Sequence, residues 1–105
     1  MPEIEQAAEA AIPQKQKRAT FSAPELRVLK LLAQGGTYQA IATELYLSPA
    51  TIAFHASRLQ ARLRVPNNVA LVAVALVTGL LTADQWPPQL TGVTSIDPTL
   101  LNARP

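Results

Sequence analysis

Residues 40–55 read AIATELYLSPATIAFH, and this stretch has the pattern of two short helices joined by a tight turn. Ala42 is small enough to let a second helix cross the first at close range. Apolar residues recur at positions that bury one continuous seam across the bend; they are Ile41, Leu45, Leu47 and Ile52. Ser48-Pro49 predicts a helix start, because the hydroxyl caps free N–H groups and proline at the first position lacks the donor that would otherwise stay unpaired. Two helices held at a fixed angle can place one of them in a major groove, so nucleic acid is the first partner to test.

Caps and helix breakers outside this stretch predict four helices, over about 24–34, 38–45, 49–63 and 69–80. Gly35-Gly36 ends the first, since glycine readily takes the left-handed conformation favoured at a helix C-terminus. Thr37 is expected to cap the second helix, and Asn67 or Asn68 the fourth.

The third helix divides into two faces at about 100° per residue. The positions that follow its inward rhythm, and must face the core, are Ile52, Ala56, Leu59 and Leu63. Phe54 lies about 200° around from Ile52 and is predicted to point outward. Ala53 and Ser57 share or flank that outer face, with Arg58 and Arg62 at its margins.

Residues 21–81 resemble the LuxR/FixJ-type, or GerE-like, DNA-binding domain. That family opens with L-T-x-R-E-x-x-V-L-x-L-x-A-x-G, continues with N-K-E-I-A-x-x-L-x-I-S-x-x-T-V-K-x-H and closes with K-L-G-V. Here the matching segments read FSAPELRVLKLLAQG (21–35), YQAIA (38–42), TIAFH (51–55) and RLRV (62–65). The resemblance implies an all-α, four-helix domain over residues 21–82, and we expect a flexible N-terminal segment over 1–20 and an extended, apolar, proline-containing tail over 83–105.

The same resemblance implies where duplex DNA is bound. Base-reading positions fall on Ala53, Phe54 and Ser57. Phosphate contacts are implied for Thr51 and for cations such as Arg58 and Arg62. The starts of the second and third helices add further expected contacts, because N–H groups there commonly meet a phosphate; these are Thr37, Tyr38, Gln39 and Ser48. For Tyr38 and Gln39 the alternative is simple solvent exposure.

Four positions depart from the family pattern. Ala53 replaces a lysine and Phe54 a commonly polar residue, so hydrogen-bonded base readout is poor, although both can touch thymine methyls or press on a base step. Phe54 therefore contacts either DNA or protein, whether the tail of this chain or a partner. Ala40 replaces a capping glutamate, and Arg64 replaces a glycine.

No constellation typical of an enzyme is present. Cysteine is absent, which excludes a disulfide framework, a thiolate metal site and a cysteine nucleophile. His55 is the single histidine and matches the family's histidine; alone it forms neither a metal site nor a triad, and we expect it to bond within the domain or to a phosphate. Neither a cofactor nor a metal is expected. Glu25 is expected to pair with Arg27, Lys30 or a distant arginine, with little effect on stability.

Charge is distributed unevenly along the chain. Residues 1–14 hold three acids and no base, whereas residues 15–81 hold eight bases against two acids. The central part is therefore +6, which suits a polyanion as partner, although ordinary solubility charge is the alternative.

The fourth helix is apolar all round, from Val69 to Val77. One face is expected to cover the three-helix body, and the other, with Leu71, Val74, Ala75 and Thr78, to form a homodimer interface, since the fourth helix is the family's usual dimerisation surface. The alternative is that the C-terminal tail folds back over this face.

These features predict a small, stand-alone bacterial transcription regulator that binds duplex DNA as a homodimer in the cytoplasm. The alternative is a protein-interaction module on the same fold that docks on RNA polymerase or another regulator through Phe54 and the C-terminal tail. The longest apolar run, over 69–81, has 13 residues, fewer than the roughly 20 that cross a bilayer, so no membrane partner is expected.

Overall fold

The computed structural model describes residues 18–97, and within that range four helices form the body of the domain. Helix α1 spans Ala23–Ala33, α2 spans Tyr38–Leu45, α3 spans Pro49–Leu63 and α4 spans Asn68–Val77. The predicted all-α, four-helix fold is confirmed. Residues 1–17 of the N-terminal segment predicted over 1–20 lie outside the described residues.

Each helix begins where the local sequence predicts, because a side-chain oxygen accepts from the third backbone N–H that follows it. The hydroxyls of Thr37 and Ser48 accept from Ala40 N at 3.0 Å and Thr51 N at 3.1 Å. The Asn67 amide oxygen accepts from Ala70 N at 2.9 Å. The loss of a glutamate at Ala40 therefore leaves α2 with its threonine cap.

The turn between α2 and α3 uses a left-handed residue. Tyr46 has a φ of 59°, and the following Leu47 N donates to Ala42 O at 2.9 Å. Ala42 is buried where α2 and α3 pack, as expected for a close helix crossing. The bend is therefore held by backbone hydrogen bonds as well as by the apolar seam.

One core joins all four helices. The four positions predicted to face inward on α3 are all buried: Ile52, Ala56, Leu59 and Leu63. Ile52, Leu59 and Leu63 pack in a cluster with Val28 and Leu29 of α1 and Ile41 of α2. At roughly 1.5–3 kcal/mol for each fully buried large aliphatic side chain, this cluster fixes the angle at which α3 is presented.

The prediction for the two faces of α4 is wrong. Leu71 and Ala75, expected to face outward, are completely buried, and Val74 and Thr78 are half-buried. The exposed side instead carries Val69 (82% exposed), Ala73, Leu76 and Val77 (76% exposed). The physical reason is that an all-apolar helix has no polar residue to mark its outer face, so the register against α1 and α3 decides which apolar face is buried.

The chain after α4 returns across the body rather than leaving it. Short strands β2 (Leu81–Thr82) and β3 (Gln89–Leu90) pair antiparallel, and β4 (Ser95–Ile96) pairs antiparallel with β1 (Ala19–Thr20). Leu80, Leu81 and Ile96 are buried in the common core. The tail expected to be extended over 83–105 is thus packed on the helices as far as residue 97.

Contacts of this C-terminal segment show which side of the body it covers. Gln34 at the end of α1 donates its amide to Pro88 O at 3.0 Å. At the other end, the Arg18 guanidinium donates to Ser95, and Phe21 N donates to Thr94 O at 2.9 Å. The segment therefore runs along α1 from its C-terminal end to its N-terminal end. No helix within residues 18–97 is long and apolar enough to cross a bilayer.

Candidate nucleic-acid interface

The outer face of α3 is the side of that helix that is turned away from the core. Phe54 is 57% exposed and Ser57 is exposed, while Thr51 and Ala53 are half-buried. Phe54 and Ser57 lie on the side opposite Ile52, as the helical angle predicts, and Thr51 and Ala53 flank them. The face combines small side chains with one aromatic ring, so it presents shape and apolar surface rather than a row of hydrogen-bond donors.

The N-terminus of α3 adds polar groups to this face. The Ser48 and Thr51 hydroxyls lie 3.0 Å apart, and both belong to the first turn, where free N–H groups and the helix dipole favour an anion. Pro49 occupies the first helical position. The structure thus brings Ser48 and Thr51 together at the edge of the outer face.

The predicted contact residues at the start of α2 differ in their exposure and in their hydrogen bonds. Gln39 is exposed, and Thr37 is exposed while its hydroxyl caps the helix. The Tyr38 ring is half-buried, and its hydroxyl accepts from Asn68 Nδ2 at 3.1 Å; Asn68 Oδ1 in turn accepts from Gln60 at 2.7 Å. Tyr38 therefore ties α2 to α4, and Gln39 is the side chain of this pair that is free to reach a ligand.

Arg58 and Arg62 both bond to one buried carboxylate. Arg58 Nε donates to Glu25 Oε2 at 3.2 Å, and Arg62 Nη1 donates to Glu25 Oε1 at 3.4 Å. The Glu25 side chain is only 6% exposed, whereas those of Arg58 and Arg62 are 46% and 34% exposed. Arg62 also donates to the backbone carbonyl of Thr20. The two cations at the margin of the outer face are therefore anchored to the start of α1.

Glu25 itself closes a reciprocal cap on α1. Its backbone N donates to Ser22 Oγ at 3.2 Å, and Ser22 N donates to Glu25 Oε1 at 3.0 Å. Burial raises the pKa of the Glu25 carboxyl, but the Ser22 backbone N–H, the Arg58 guanidinium, the charge of Arg62 and the Ser22 hydroxyl outweigh it. Their net effect holds the pKa below its ordinary value of 4.5. Glu25 is therefore a carboxylate at neutral pH and keeps both arginines in place.

An open cleft lies between the outer face and this network. It has a volume of about 470 Å³ and is lined by Glu25, Phe54, His55 and the two arginines, together with residues 20–22. The His55 ring lies 5.9 Å from the Phe54 ring, and its Nδ1 is buried without a hydrogen bond to any residue of 18–97. The expected hydrogen bond from His55 within the domain is therefore not seen.

A distant arginine was among the partners expected for Glu25, and Arg58 and Arg62 are both distant from it in sequence. The burial of Glu25 and its part in the cap of α1 were missed, because a surface pair of little consequence was expected. The signal that could have found it is the spacing Ser22-x-x-Glu25, which is typical of a capping box and predicts a carboxylate turned back toward the helix start. Which arginine it meets could not be predicted, because 33 residues separate Glu25 from Arg58.

Comparison with known proteins agrees with this geometry. A family model described as "Bacterial regulatory proteins, luxR family" matches residues 19–75. "Probable transcriptional regulatory protein NarL" of Mycobacterium tuberculosis (strain ATCC 25618 / H37Rv) is 43% identical over 61 residues, which are 58% of this chain and 28% of that protein. "Regulatory protein SdiA" of Escherichia coli (strain K12) is 34% identical over 61 residues, 58% of this chain and 25% of that protein. The chain thus spans about a quarter of the length of each relative.

Proposed function

The chain belongs to the luxR family of bacterial regulatory proteins, and from that membership we propose that it regulates transcription by binding duplex DNA with the outer face of α3 in the major groove. One observation carries the proposal. The inward residues of α3 are buried, while Phe54 and Ser57 stand exposed on the opposite side. A helix anchored along one side and bare on the other is what entry into a groove about 12 Å wide requires.

Contacts with the bases are proposed for Ala53, Phe54 and Ser57. Ala53 and Phe54 offer apolar contact to thymine methyls, and the Ser57 hydroxyl offers one hydrogen bond to either a donor or an acceptor. The set discriminates weakly by hydrogen bonding. Preference for thymine-containing sites is therefore expected to come from shape and methyl contact.

Contacts with the phosphates are proposed for the groups around this face. The helix starts contribute Thr37 and Gln39 on α2 and Ser48 and Thr51 on α3, where N–H groups and hydroxyls suit an anion. Arg58 contributes a charge at the C-terminal margin. Tyr38 and Arg62 contribute indirectly, because their polar groups already bond within the domain.

We further propose that the protein is a homodimer through the exposed side of α4. Val69, Ala73, Leu76 and Val77 form an apolar stripe along the whole helix. Leaving these side chains in water forgoes several kcal/mol of transfer free energy, at about 25 cal/mol for each Å². Pairing two copies along this stripe covers it and holds two α3 helices for two half-sites.

Selection from a pool of random duplex DNA tests the proposal. A DNA-binding dimer enriches a site with two inverted half-sites, one helical turn or so apart. An Ala53→Lys variant is a useful companion, because a cation on the outer face should change the enriched half-site without changing the spacing. Recovery of no duplex at 50 mM salt would contradict DNA binding and favour the alternative, a module that docks on RNA polymerase or another regulator.

A further inference from the structure

The chain contains two phenylalanines, and each lies beneath a guanidinium of α3. Arg58 Cζ is 5.6 Å from the centroid of the Phe54 ring, and Arg62 Cζ is 5.7 Å from that of Phe21. Both distances are within the range of cation–π attraction. Since Glu25 bonds to the same two guanidiniums, each is held from two directions, by a ring and by a carboxylate oxygen.

The two arginines differ in what remains free. Arg62 is the less exposed and also donates to Thr20, so it joins α3 to β1 and serves the fold. Among residues 18–97, Arg58 donates only through Nε. Of the five N–H donors of a guanidinium, the four on Nη1 and Nη2 of Arg58 form no hydrogen bond with any described residue. Arg58 therefore has donors available at the edge of the outer face.

Arg58 is also distinguished by its position along α3. Residues 49–57 contain no lysine or arginine, so Arg58 is the first cation of α3. It lies one turn after Phe54, and residues four apart share a helix face. The ring of Phe54 is thus placed where it can hold the side chain of Arg58, the first positively charged residue along α3.

We propose that Phe54 is a positioning residue: its ring and the Glu25 carboxylate hold the Arg58 guanidinium in one orientation, with its Nη groups ready for a backbone phosphate of bound DNA. This inference rests on the proposed DNA binding. An exposed arginine has many rotamers, and ordering it on binding costs conformational entropy. A guanidinium already held in the free protein has lost part of that freedom before DNA arrives, so the same contact gives tighter binding.

A test of this contact should remove the quadrupole of the Phe54 ring and keep an apolar side chain of similar volume. Phe54→Leu does this, while Phe54→Tyr is the matched control that retains a ring. Because Phe54 is more exposed than buried, neither change should unfold the domain, which circular dichroism on heating verifies. Phe54→Leu is expected to weaken binding to random-sequence duplex DNA roughly two- to fivefold at low salt, and Phe54→Tyr to weaken it clearly less, because the ring remains.

Coupling to Arg58 gives the decisive readout. On random-sequence duplex DNA in an Arg58→Ala background, Phe54→Leu should have no further effect on binding, because its influence there passes through the guanidinium. The part of the loss that passes through Arg58 should be equal on random and selected duplexes, since phosphate contacts carry no sequence information, and any base contact of Phe54 adds to the loss on the selected duplex alone. Equal losses with and without Arg58, or a loss confined to the selected site, would overturn the proposal in favour of direct base contact.

A measurement on the free protein separates this inference from the proposed function. The order parameter of the Arg58 Nε–Hε group, from ¹⁵N relaxation, should fall in Phe54→Leu and stay at the wild-type value in Phe54→Tyr. An unchanged value in Phe54→Leu would show that the ring does not hold the side chain. Wild-type protein that binds no duplex DNA would contradict the proposed function, while the order parameter would still decide whether Phe54 fixes Arg58.

Discussion

Glu25 and Arg58 are 33 residues apart in the chain, yet the Arg58 Nε lies 3.2 Å from the Glu25 carboxylate. This contact joins the start of α1 to the edge of the helix proposed to enter DNA. A buried carboxylate that also caps a helix cannot move without disturbing that helix. The fold and the proposed interface therefore share one residue.

Arg58→Ala should reduce both stability and DNA affinity. It removes a hydrogen bond to a buried charge and leaves Glu25 with Arg62 as its remaining guanidinium partner. Since Arg58 is about half-exposed, we expect a loss of about 1–2 kcal/mol in the free energy of unfolding, measured by urea denaturation. Lys30→Ala is the control: the Lys30 side chain forms no hydrogen bond or ion pair with any residue of 18–97, so its loss should change little. Equal effects of the two substitutions would contradict the account.

Stability should fall in acid through Glu25. Its folded-state pKa is lowered, so the stability it contributes is fully present above its ordinary pKa of 4.5 and is lost as the pH falls through the folded value. The urea concentration at which half of the wild-type protein is unfolded should therefore decrease once the pH falls below about 4.5. Glu25→Gln should be less stable at pH 7 and show a shallower decline between pH 5 and pH 3. Parallel curves for the two proteins would mean that Glu25 is not linked to folding.

Arg64→Gly should stabilise the domain. Arg64 ends α3 with a φ of 59°, in the left-handed region that costs a residue with a Cβ about 1–2 kcal/mol and glycine almost nothing. Glycine's greater freedom in the unfolded chain offsets part of this, so about 0.5–1 kcal/mol should remain. Arg64→Ala removes the charge but keeps the Cβ, and it should gain nothing. A similar gain in both variants would assign the effect to charge instead.

The two faces of α4 give a matched pair of substitutions. Leu71→Glu places a charge in the core, where Leu71 is fully buried, and should abolish the helical circular dichroism signal at 25 °C. Ala73→Glu lies at the centre of the exposed stripe and should leave the fold intact while converting a dimer to a monomer in analytical ultracentrifugation. A wild type that sediments as one chain at micromolar concentration would rule out the dimer. A Leu71→Glu variant that stays folded would contradict the assignment of Leu71 to the buried face of α4.

The sequence predicted what is decided locally. Thr37, Ser48 and Asn67 cap their helices because a cap depends on residues three positions apart, and Ile52 and Leu59 are buried because periodicity marks them. The family resemblance supplied the all-α, four-helix arrangement. These parts of the fold could be predicted without any long-range information.

What the sequence could not predict depends on contacts between distant segments. The buried face of α4 is chosen by packing against α1 and α3, and no polar residue between Val69 and Val77 reveals it. Strands β1 to β4 have two residues each, too few to show an alternating pattern. The partners of Glu25 likewise follow from how α1 and α3 meet.

The salt dependence of binding to random-sequence duplex DNA tests the central claim most directly. Two to four phosphate contacts for each protomer predict a slope of log affinity against log salt of roughly −2 to −4, and about twice that for a dimer. Fluorescence anisotropy with a labelled duplex between 50 and 200 mM salt measures it. A linear fall with this slope is the result expected of a protein that grips the DNA backbone around α3. Absence of binding at 50 mM salt, or an affinity that does not change with salt, would contradict it.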